Sequence, residues 1–588
     1  MKEQWILMNK GTDFAATGAE LGVPPLIVKL MFNRGIQKEQ MGAFLRDDIN
    51  SLADPTLMKG VKEAAGILSE IAGSGDRIAV VTDYDCDGIF SGMVLYTGLL
   101  RIGAVPVLFT PDRVKDGYGI NRRIIDEIYN RGINYIITCD NGIAAYDEVC
   151  YAKELGMKII VTDHHEIPFS MDGDNVVYTV PPADVVCNPK QPGCGYPYKE
   201  LCGAGVAYRL MDYMYTVYGI PFEDRKLLLQ YTAIATIADI MELTGENRVL
   251  VKAGLNYLNR SSCAGLEAVK KVCGLEGKML SVYHIGFVIG PCFNAAGRLK
   301  NVEPAFKLLL SGNEAEALTF ANELFELNAE RKEMTEQGVI KCMEMMQSDG
   351  NVADDRVVVI VLDDCHESIA GIIAGRVKDA VNKPVIVFTI VEDGMCKGSG
   401  RSIPAYDMFG ELSKCKDLFE RFGGHAMAAG ITLKAANVDE LRRRLNDNCT
   451  LTDKDMMPVV RLDAEVLFRH MSMEMVNSLH ILEPYGNGNQ RPLFCAAAVS
   501  VKRAMVLGRS RRILKLLLED KDGGRIEAVY FGDYEVFINM VEEEYGTEQR
   551  DRMLRGADNN VRMAFAFYPD INEYNGMRQV QLVIQNYA

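Results

Sequence analysis

Asp83-Tyr84-Asp85-Cys86-Asp87-Gly88 comes directly after the apolar run Ile78-Ala79-Val80-Val81, and the same pattern recurs twice more before residue 166. Tyr135-Ile136-Ile137 leads into Cys139-Asp140-Asn141-Gly142, and Ile159-Ile160-Val161 leads into Thr162-Asp163-His164-His165. Short apolar runs with helix-like stretches between them predict parallel strands buried on both faces. In such a sheet, functional groups collect beyond the carboxyl ends of the strands. Three neighbouring strands would therefore deliver several carboxylates and two imidazoles to one crevice. Like charges gathered in this way call for cations, and hard divalent metals bound by Asp and His meet that need.

Taken singly, the clusters are ambiguous. Asp83, Asp85 and Asp87 alternate, so an extended backbone would turn all three to one side, but a solvated acidic turn ending at Gly88 fits equally well. Asp140 before Asn141-Gly142 is ordinary turn chemistry. His164-His165 weighs more, because the chain has 7 histidines and two of them stand together after an acid. Jointly the clusters predict a binuclear metal site.

The rest of the chain sets the frame. At 588 residues, with 48% hydrophobic content, it is long enough for several domains with substantial cores. No apolar run reaches membrane-spanning length. The 15 cysteines follow no disulfide or zinc spacing, which predicts reduced thiols and a cytoplasmic protein. A net charge of −16 argues against indiscriminate coating of nucleic acid or anionic membrane.

The predicted organisation is α/β with five parts. They are an N-terminal helical segment (1–50), a doubly wound domain with a parallel sheet (51–250), a helical connector (251–348), a second α/β domain (349–450) and a C-terminal β-barrel (458–588). Asp349-Gly350 is the expected stop of the connector. Asp522-Gly523-Gly524 and Asn575-Gly576 are the barrel's turn signals. Tyr231 to Asp239 reads as a smooth apolar helix or strand ending on an acid. Lys502, Arg503, Arg509, Arg511, Arg512 and Lys515 form a basic cluster suited to a nucleic-acid track, or else a solvated face. Tyr530, Phe531 and Phe537 read mostly as core, with base stacking as the alternative.

These motifs resemble those of the DHH phosphoesterase superfamily. Asp83 to Gly88, the Asp140 turn and Asp163-His164-His165 match its first three motifs, and Ile237-Ala238-Asp239 its fourth. Asn33-Arg34-Gly35-Ile36, Pro111-Asp112-Arg113, Gly117-Tyr118-Gly119 and Asn294 to Leu299 narrow the resemblance to the RecJ family of single-stranded-DNA-specific exonucleases. Leu327 to Lys332, Gly398 to Ser402, Gly423-Gly424-His425 and Glu483 to Asn489 point the same way. The resemblance implies a DHH domain, a DHHA1 domain and an oligonucleotide-binding (OB) fold. The chain departs from the family at Thr82, Cys292 and Cys365.

By this resemblance, Asp83, Asp85, Asp140, His164 and Asp239 would ligate two Mn2+ ions, with Mg2+ a workable substitute. Asp163 would orient the histidines and His165 would face the scissile phosphate. Arg113, Tyr118, Arg298, Ser399, Arg401 and His425 would bind substrate, with the backbone N–H groups of 398–402 cradling phosphate. The implied activity is 5′-to-3′ hydrolysis of single-stranded DNA in repair and recombination. It would be carried out by a monomer working with a helicase and a single-strand-binding protein. The rival expectations are a smaller DHH phosphodiesterase acting on short oligonucleotides or cyclic dinucleotides, a family II pyrophosphatase, and a non-catalytic Cdc45-like DNA-binding scaffold. The barrel and connector weigh against the first, the chain's length and Gly423-Gly424-His425 against the second, and the intact ligand set against the last.

Overall fold

The structure, a computed structural model, describes all residues except 1, 2, 9–12, 47, 174, 261, 349–351, 353, 508–512 and 575, and the side chains of 392 and 574. The expected stop at Asp349-Gly350, residue Asn575, and Arg509, Arg511 and Arg512 of the basic cluster lie outside the described residues. The chain forms two compact units, Ile49–Pro458 and the pairing of Met1–Asp48 with Val459–Ala588.

In the larger unit, five parallel strands lie in the order Val105–Phe109, Arg77–Thr82, Tyr135–Cys139, Lys158–Thr162, Val185–Cys187. Alternation sends successive side chains to opposite faces. Ile78, Val80, Ile137 and Ile160 join one core with the helices Val61–Ser74, Cys86–Arg101, Gly203–Val217 and Arg225–Ala238. Ala79, Val81, Ile136 and Val161 join another core with Arg122–Asn130 and Tyr146–Glu154. The sheet is thus doubly wound. The chain leaves Arg77–Thr82 for one neighbour and later returns on its other side at Tyr135–Cys139, so the topological switch point falls between these two strands. Crevices of open α/β sheets form at such a point.

The Tyr231 to Asp239 stretch is helical, within Arg225–Ala238, and Asp239 is its C-cap. Helices continue to Glu314–Ser348, which buries Ala317, Ala321, Leu324 and Asn328. A second sheet comes next, in the order Phe419–His425, Ala428–Lys434, Met395–Arg401, Val385–Ile390, Val358–Leu362. Only its last pair is parallel.

The smaller unit holds a closed five-stranded barrel. Phe494–Leu507, Ile513–Glu519, Arg525–Tyr530, Met577–Tyr587 and Arg562–Tyr574 pair in turn, and the last returns to pair with the first. The N-terminal segment is not wholly helical: Gln4–Leu7 is a strand, parallel to Val459–Leu462. Ile27, Leu30 and Met31 of the Pro25–Asn33 helix share the barrel's core. Asn33 Nδ2 donates to Asp463 Oδ1 at 3.0 Å, and Arg34 Nε donates to Asn489 Oδ1 at 3.1 Å. The motifs at 33–36 and 483–489 therefore meet as one structural lock.

Candidate active site

The three acid-tipped strands end level. Thr82 is in register with Cys139, and Cys139 with Thr162, so Asp83, Asp140 and Asp163 leave the sheet edge side by side. Asp140 has φ 60°, a backbone state that costs most residues energy but suits Asp and Asn. The turn is held by Asn141, whose amide nitrogen donates to Val81 O (3.1 Å) and Cys139 O (2.9 Å) and whose Oδ1 accepts from Ile120 N (3.1 Å). Gly203 gives Asp140 room, since a Cβ there would lie 2.5 Å from the Asp140 Cβ.

The Asp83–Gly88 stretch is not extended throughout. The strand stops at Thr82, whose hydroxyl bonds the Asp83 carbonyl and Thr110 Oγ1 at 2.8 Å each. Asp85 caps the helix Cys86–Arg101, accepting Gly88 N at 3.0 Å. Asp87 therefore lies in the first helical turn. It is buried and accepts the N–H groups of Gly203 (2.6 Å) and Ala204 (2.8 Å) at the start of the next core helix. A capping acid after a strand breaks the two-residue alternation, and the expectation of three acids on one side fails for that reason.

Three donor groups form among the described residues, each with its ligand atoms within 4.8 Å of one another: Asp83, Asp85 and Asp140; Asp87, His164 and Asp239; and Asp140, Asp163, His164 and His165. His164 Nε2 links them, 3.0 Å from Asp140 Oδ1, 3.7 Å from Asp87 and 3.9 Å from Asp239. Asp83 Oδ1 is buried with no hydrogen-bond partner. Burial, then the charge of Asp85, pushes Asp83 well above the usual carboxylate range and Asp87 up to about 6. Burial and the neighbouring acids raise Asp140 and Asp239 likewise. His164 drops to about 3 through burial and the charge of His165. Buried carboxylates that resist ionising together, a neutral imidazole and an orphaned acceptor form a donor set that fits hard divalent cations.

Asp163 stands behind this edge. It accepts from Ile143 N, His164 N and His165 N, and from His165 Nδ1 at 2.7 Å. Burial works against an ionised Asp163, yet His165 holds its pKa below the usual value. Burial would also lower His165, but Asp163 outweighs it and raises the imidazolium to about 9. Tyr118 donates to the Asp140 carbonyl at 2.6 Å and touches His165 at 3.2 Å.

The arginines gather beside the centre. Arg113 lies over the Tyr84 ring, 4.8 Å from its centroid. Arg298, on the Gly290–Leu299 helix, donates to Ser368 O at 2.7 Å, and Arg401 donates to Ser399 Oγ at 3.0 Å. Burial, then Arg113, lowers Arg298 to about 10, opposed by Asp85 and reinforced by Arg331 and Arg401. Arg331 is lowered by burial and by Arg376. Partly buried arginines that repel one another favour a bound anion. Gly371 makes space for them, because a Cβ there would lie 2.7 Å from Ser399 Oγ and 2.8 Å from an Arg401 nitrogen.

Some sequence expectations need correction. Residues 398–401 lie in the strand Met395–Arg401, between two antiparallel neighbours whose ladders engage its N–H groups, so no phosphate cradle forms there. Gly423-Gly424-His425 is the end of the strand Phe419–His425, and His425 is exposed, its Nδ1 accepting from Met427 N at 3.3 Å. In the barrel, Lys502 pairs with Glu519 and Lys515 with Glu527, both at 2.8 Å, which neutralises part of the basic cluster. Phe537 is core, whereas Phe531 is exposed. Sequence reasoning places Asp87 in the acidic triplet at 83–88 but leaves it out of the ligand set that the resemblance implies.

Comparison with known proteins agrees with this architecture. Residues 77–236 match the DHH family, N-terminal domain, residues 354–450 the DHHA1 domain, and residues 462–586 the RecJ OB domain. The chain is 33% identical to the single-stranded-DNA-specific exonuclease RecJ of Bacillus subtilis, covering 100% of this chain and 71% of that protein. It is 32% identical to the Escherichia coli RecJ exonuclease, covering 100% and 99%. The crystal structure of Thermus thermophilus RecJ in complex with Mn2+ superposes with a TM-score of 0.78 at 26% identity, covering 100% of this chain and 79% of that one. With its three domains in this order and full-length relatives of this kind, the chain belongs to the RecJ family.

Proposed function

We propose that this protein is a divalent-metal-dependent 5′-to-3′ exonuclease that hydrolyses the phosphodiester bonds of single-stranded DNA in repair and recombination. The observation that carries this reading is the joining of the Asp83–Asp85–Asp140 and Asp87–His164–Asp239 groups through His164 and Asp140. The RecJ names of the relatives and the Mn2+ of the Thermus structure support it.

Asp83, Asp85, Asp87, Asp140, His164 and Asp239 would hold the cations, two Mn2+ by preference. Divalent cations there supply charge neutralisation and water activation for phosphoryl transfer. Asp163 fixes the His165 ring and keeps it protonated, so that His165 offers positive charge and a proton to the phosphate undergoing attack. Tyr118 steadies the Asp140 turn. Arg113, Arg298, Ser399 and Arg401 form the anion pocket for a terminal 5′-phosphate, with Arg331 and Arg376 adding positive charge behind it. His425 remains a proposed strand contact. Cooperation with a helicase and a single-strand-binding protein, a monomeric state and a cytoplasmic location belong to the same proposal. All 15 cysteines are free, which supports a reducing compartment.

The test is manganese-dependent digestion of one oligonucleotide labelled at either end, offered single-stranded and as a blunt duplex. Stepwise loss from the 5′ end of the single strand alone, blocked by chelator, is the expected result. Binding without cutting under any metal would overturn it in favour of a scaffold.

A further inference from the structure

Cys273 and Cys292 stand with their sulfurs 3.9 Å apart, joined by a thiol hydrogen bond. Cys273 caps the helix Ala264–Val272 and is half-buried, within reach of small solutes. Cys292 is buried in the first turns of the Gly290–Leu299 helix. Its other contacts are weak ones, to Val288 O at 3.3 Å and from Asn328 Nδ2 at 3.5 Å. We propose that Cys273 and Cys292 are a reversible disulfide site, closed by peroxide-class oxidants and reopened by thiols.

The two sulfurs have unequal roles. The contact with Cys292 lowers the Cys273 pKa against the cost of burial, and the Lys332 ammonium lowers it further. The same pairing, followed by burial, keeps Cys292 a thiol. Thiolate character and access select the sulfur that oxidises first, and both favour Cys273. Its thiolate attacks hydrogen peroxide, the O–O bond breaks, and a sulfenic acid and one water result once a proton is taken up. The Cys292 sulfur then attacks the Cys273 sulfur, the S–O bond breaks, and the departing hydroxyl leaves as a second water with the Cys292 proton. Two thiols and one peroxide become one disulfide and two waters.

Closing the bond requires the sulfurs to approach to about 2.0 Å, which draws the start of the Gly290–Leu299 helix toward Cys273. That helix carries two contacts to the Asp83–Gly88 segment. Asn294 Oδ1 accepts Cys86 N at 2.9 Å, and Gly297 lies so close that a Cβ there would sit 2.0 Å from the Tyr84 carbonyl. It also carries Arg298. Oxidation should therefore loosen the metal-binding turn and displace one wall of the arginine pocket. The cross-link itself does not depend on the proposed nuclease activity, whereas this consequence does.

The test treats the full chain with hydrogen peroxide, alkylates the remaining thiols and maps the peptides by mass spectrometry. The expected result is a linked peptide containing Cys273 and Cys292, the loss of two thiols, and their return with dithiothreitol. Cys273→Ser, a change at the half-buried partner, should abolish the linked peptide while keeping unoxidised activity. Cys292→Ala should leave Cys273 as a trappable sulfenic acid. Equal alkylation of both cysteines before and after peroxide, or a mixed disulfide of Cys273 with glutathione in place of the pair, would overturn the site. With single-stranded DNA, peroxide should cut the rate at least tenfold in the native chain, reversibly, and spare Cys273→Ser. A cross-linked protein of unchanged rate would overturn the link to the metal-binding turn alone.

Discussion

One carboxylate oxygen of Asp163 lies 2.7 Å from His165 Nδ1 while also receiving the backbone N–H groups of His164 and His165, and the other receives Ile143 N. The acid thus fixes both the backbone that presents the histidine pair and the charge of its second ring. Asp163→Asn keeps most of the shape but removes that charge. Activity should fall about 10- to 100-fold, the usual loss when such an orienting partner is removed. The His165 pKa should fall from about 9 toward its ordinary 6.5. If protonated His165 assists cleavage, the alkaline limb of the pH–rate profile moves down with it. An unmoved limb would remove His165 from that role.

Asp140 offers a cleaner test of charge than most ligands. Its φ of 60° is tolerated by Asn but strained for Ala, so Asp140→Asn retains the turn. Cleavage should be abolished while single-strand binding persists, measured by digestion and by fluorescence anisotropy in parallel. Full activity in this variant would exclude Asp140 as a cation ligand.

Asp87 has a structural task as well as a place in the donor group. Asp87→Ala leaves the N–H groups of Gly203 and Ala204 buried without an acceptor, at a cost of about 1–3 kcal/mol for each. Urea denaturation should show that loss even in chelator, and a metal titration should show weakened binding in addition. A variant with normal stability and weakened metal affinity would make Asp87 a ligand only.

Metal removal should have a pH signature. In the metal-free fold, Asp87 is raised to about 6, and Asp83, Asp140 and Asp239 are raised as well. In the unfolded chain aspartates titrate near 3.9. The folded state then binds protons more tightly, so these acids favour folding fully below about pH 4 and lose that contribution as pH rises through their raised folded values, about 6 for Asp87. Divalent cations take the place of the protons. The difference in Tm between Mn2+ and EDTA should therefore widen from pH 4 to pH 8, and identical curves would contradict the shared site.

Arg401→Ala should reduce the preference for 5′-phosphorylated over 5′-hydroxyl ends more than it slows later cuts on the same strand. Equal losses on both substrates would place Arg401 outside the terminal-phosphate pocket.

The parallel sheet and its acid-tipped edge are legible in the chain alone. Buried parallel strands leave uninterrupted apolar runs, and the residues just after each run land at one end of the sheet whatever the rest of the chain does. The helical spacing of Ala317, Ala321, Leu324 and Asn328 is legible for the same local reason. Other features come only from contacts between distant segments. Asp87 turns inward because Asp85 caps a helix whose neighbour, starting at Gly203, presents N–H groups that need an acceptor. Gly398-Ser399-Gly400 reads as a phosphate loop because glycine is common in both settings, and its place in the sheet is set by antiparallel partners on both sides. The strand Gln4–Leu7 pairs with Val459–Leu462, at the other end of the sequence, and the Cys273–Cys292 contact joins residues of separate helical elements. Long-range pairing of this kind leaves no period in the sequence, because only the closing of the chain brings the partners together.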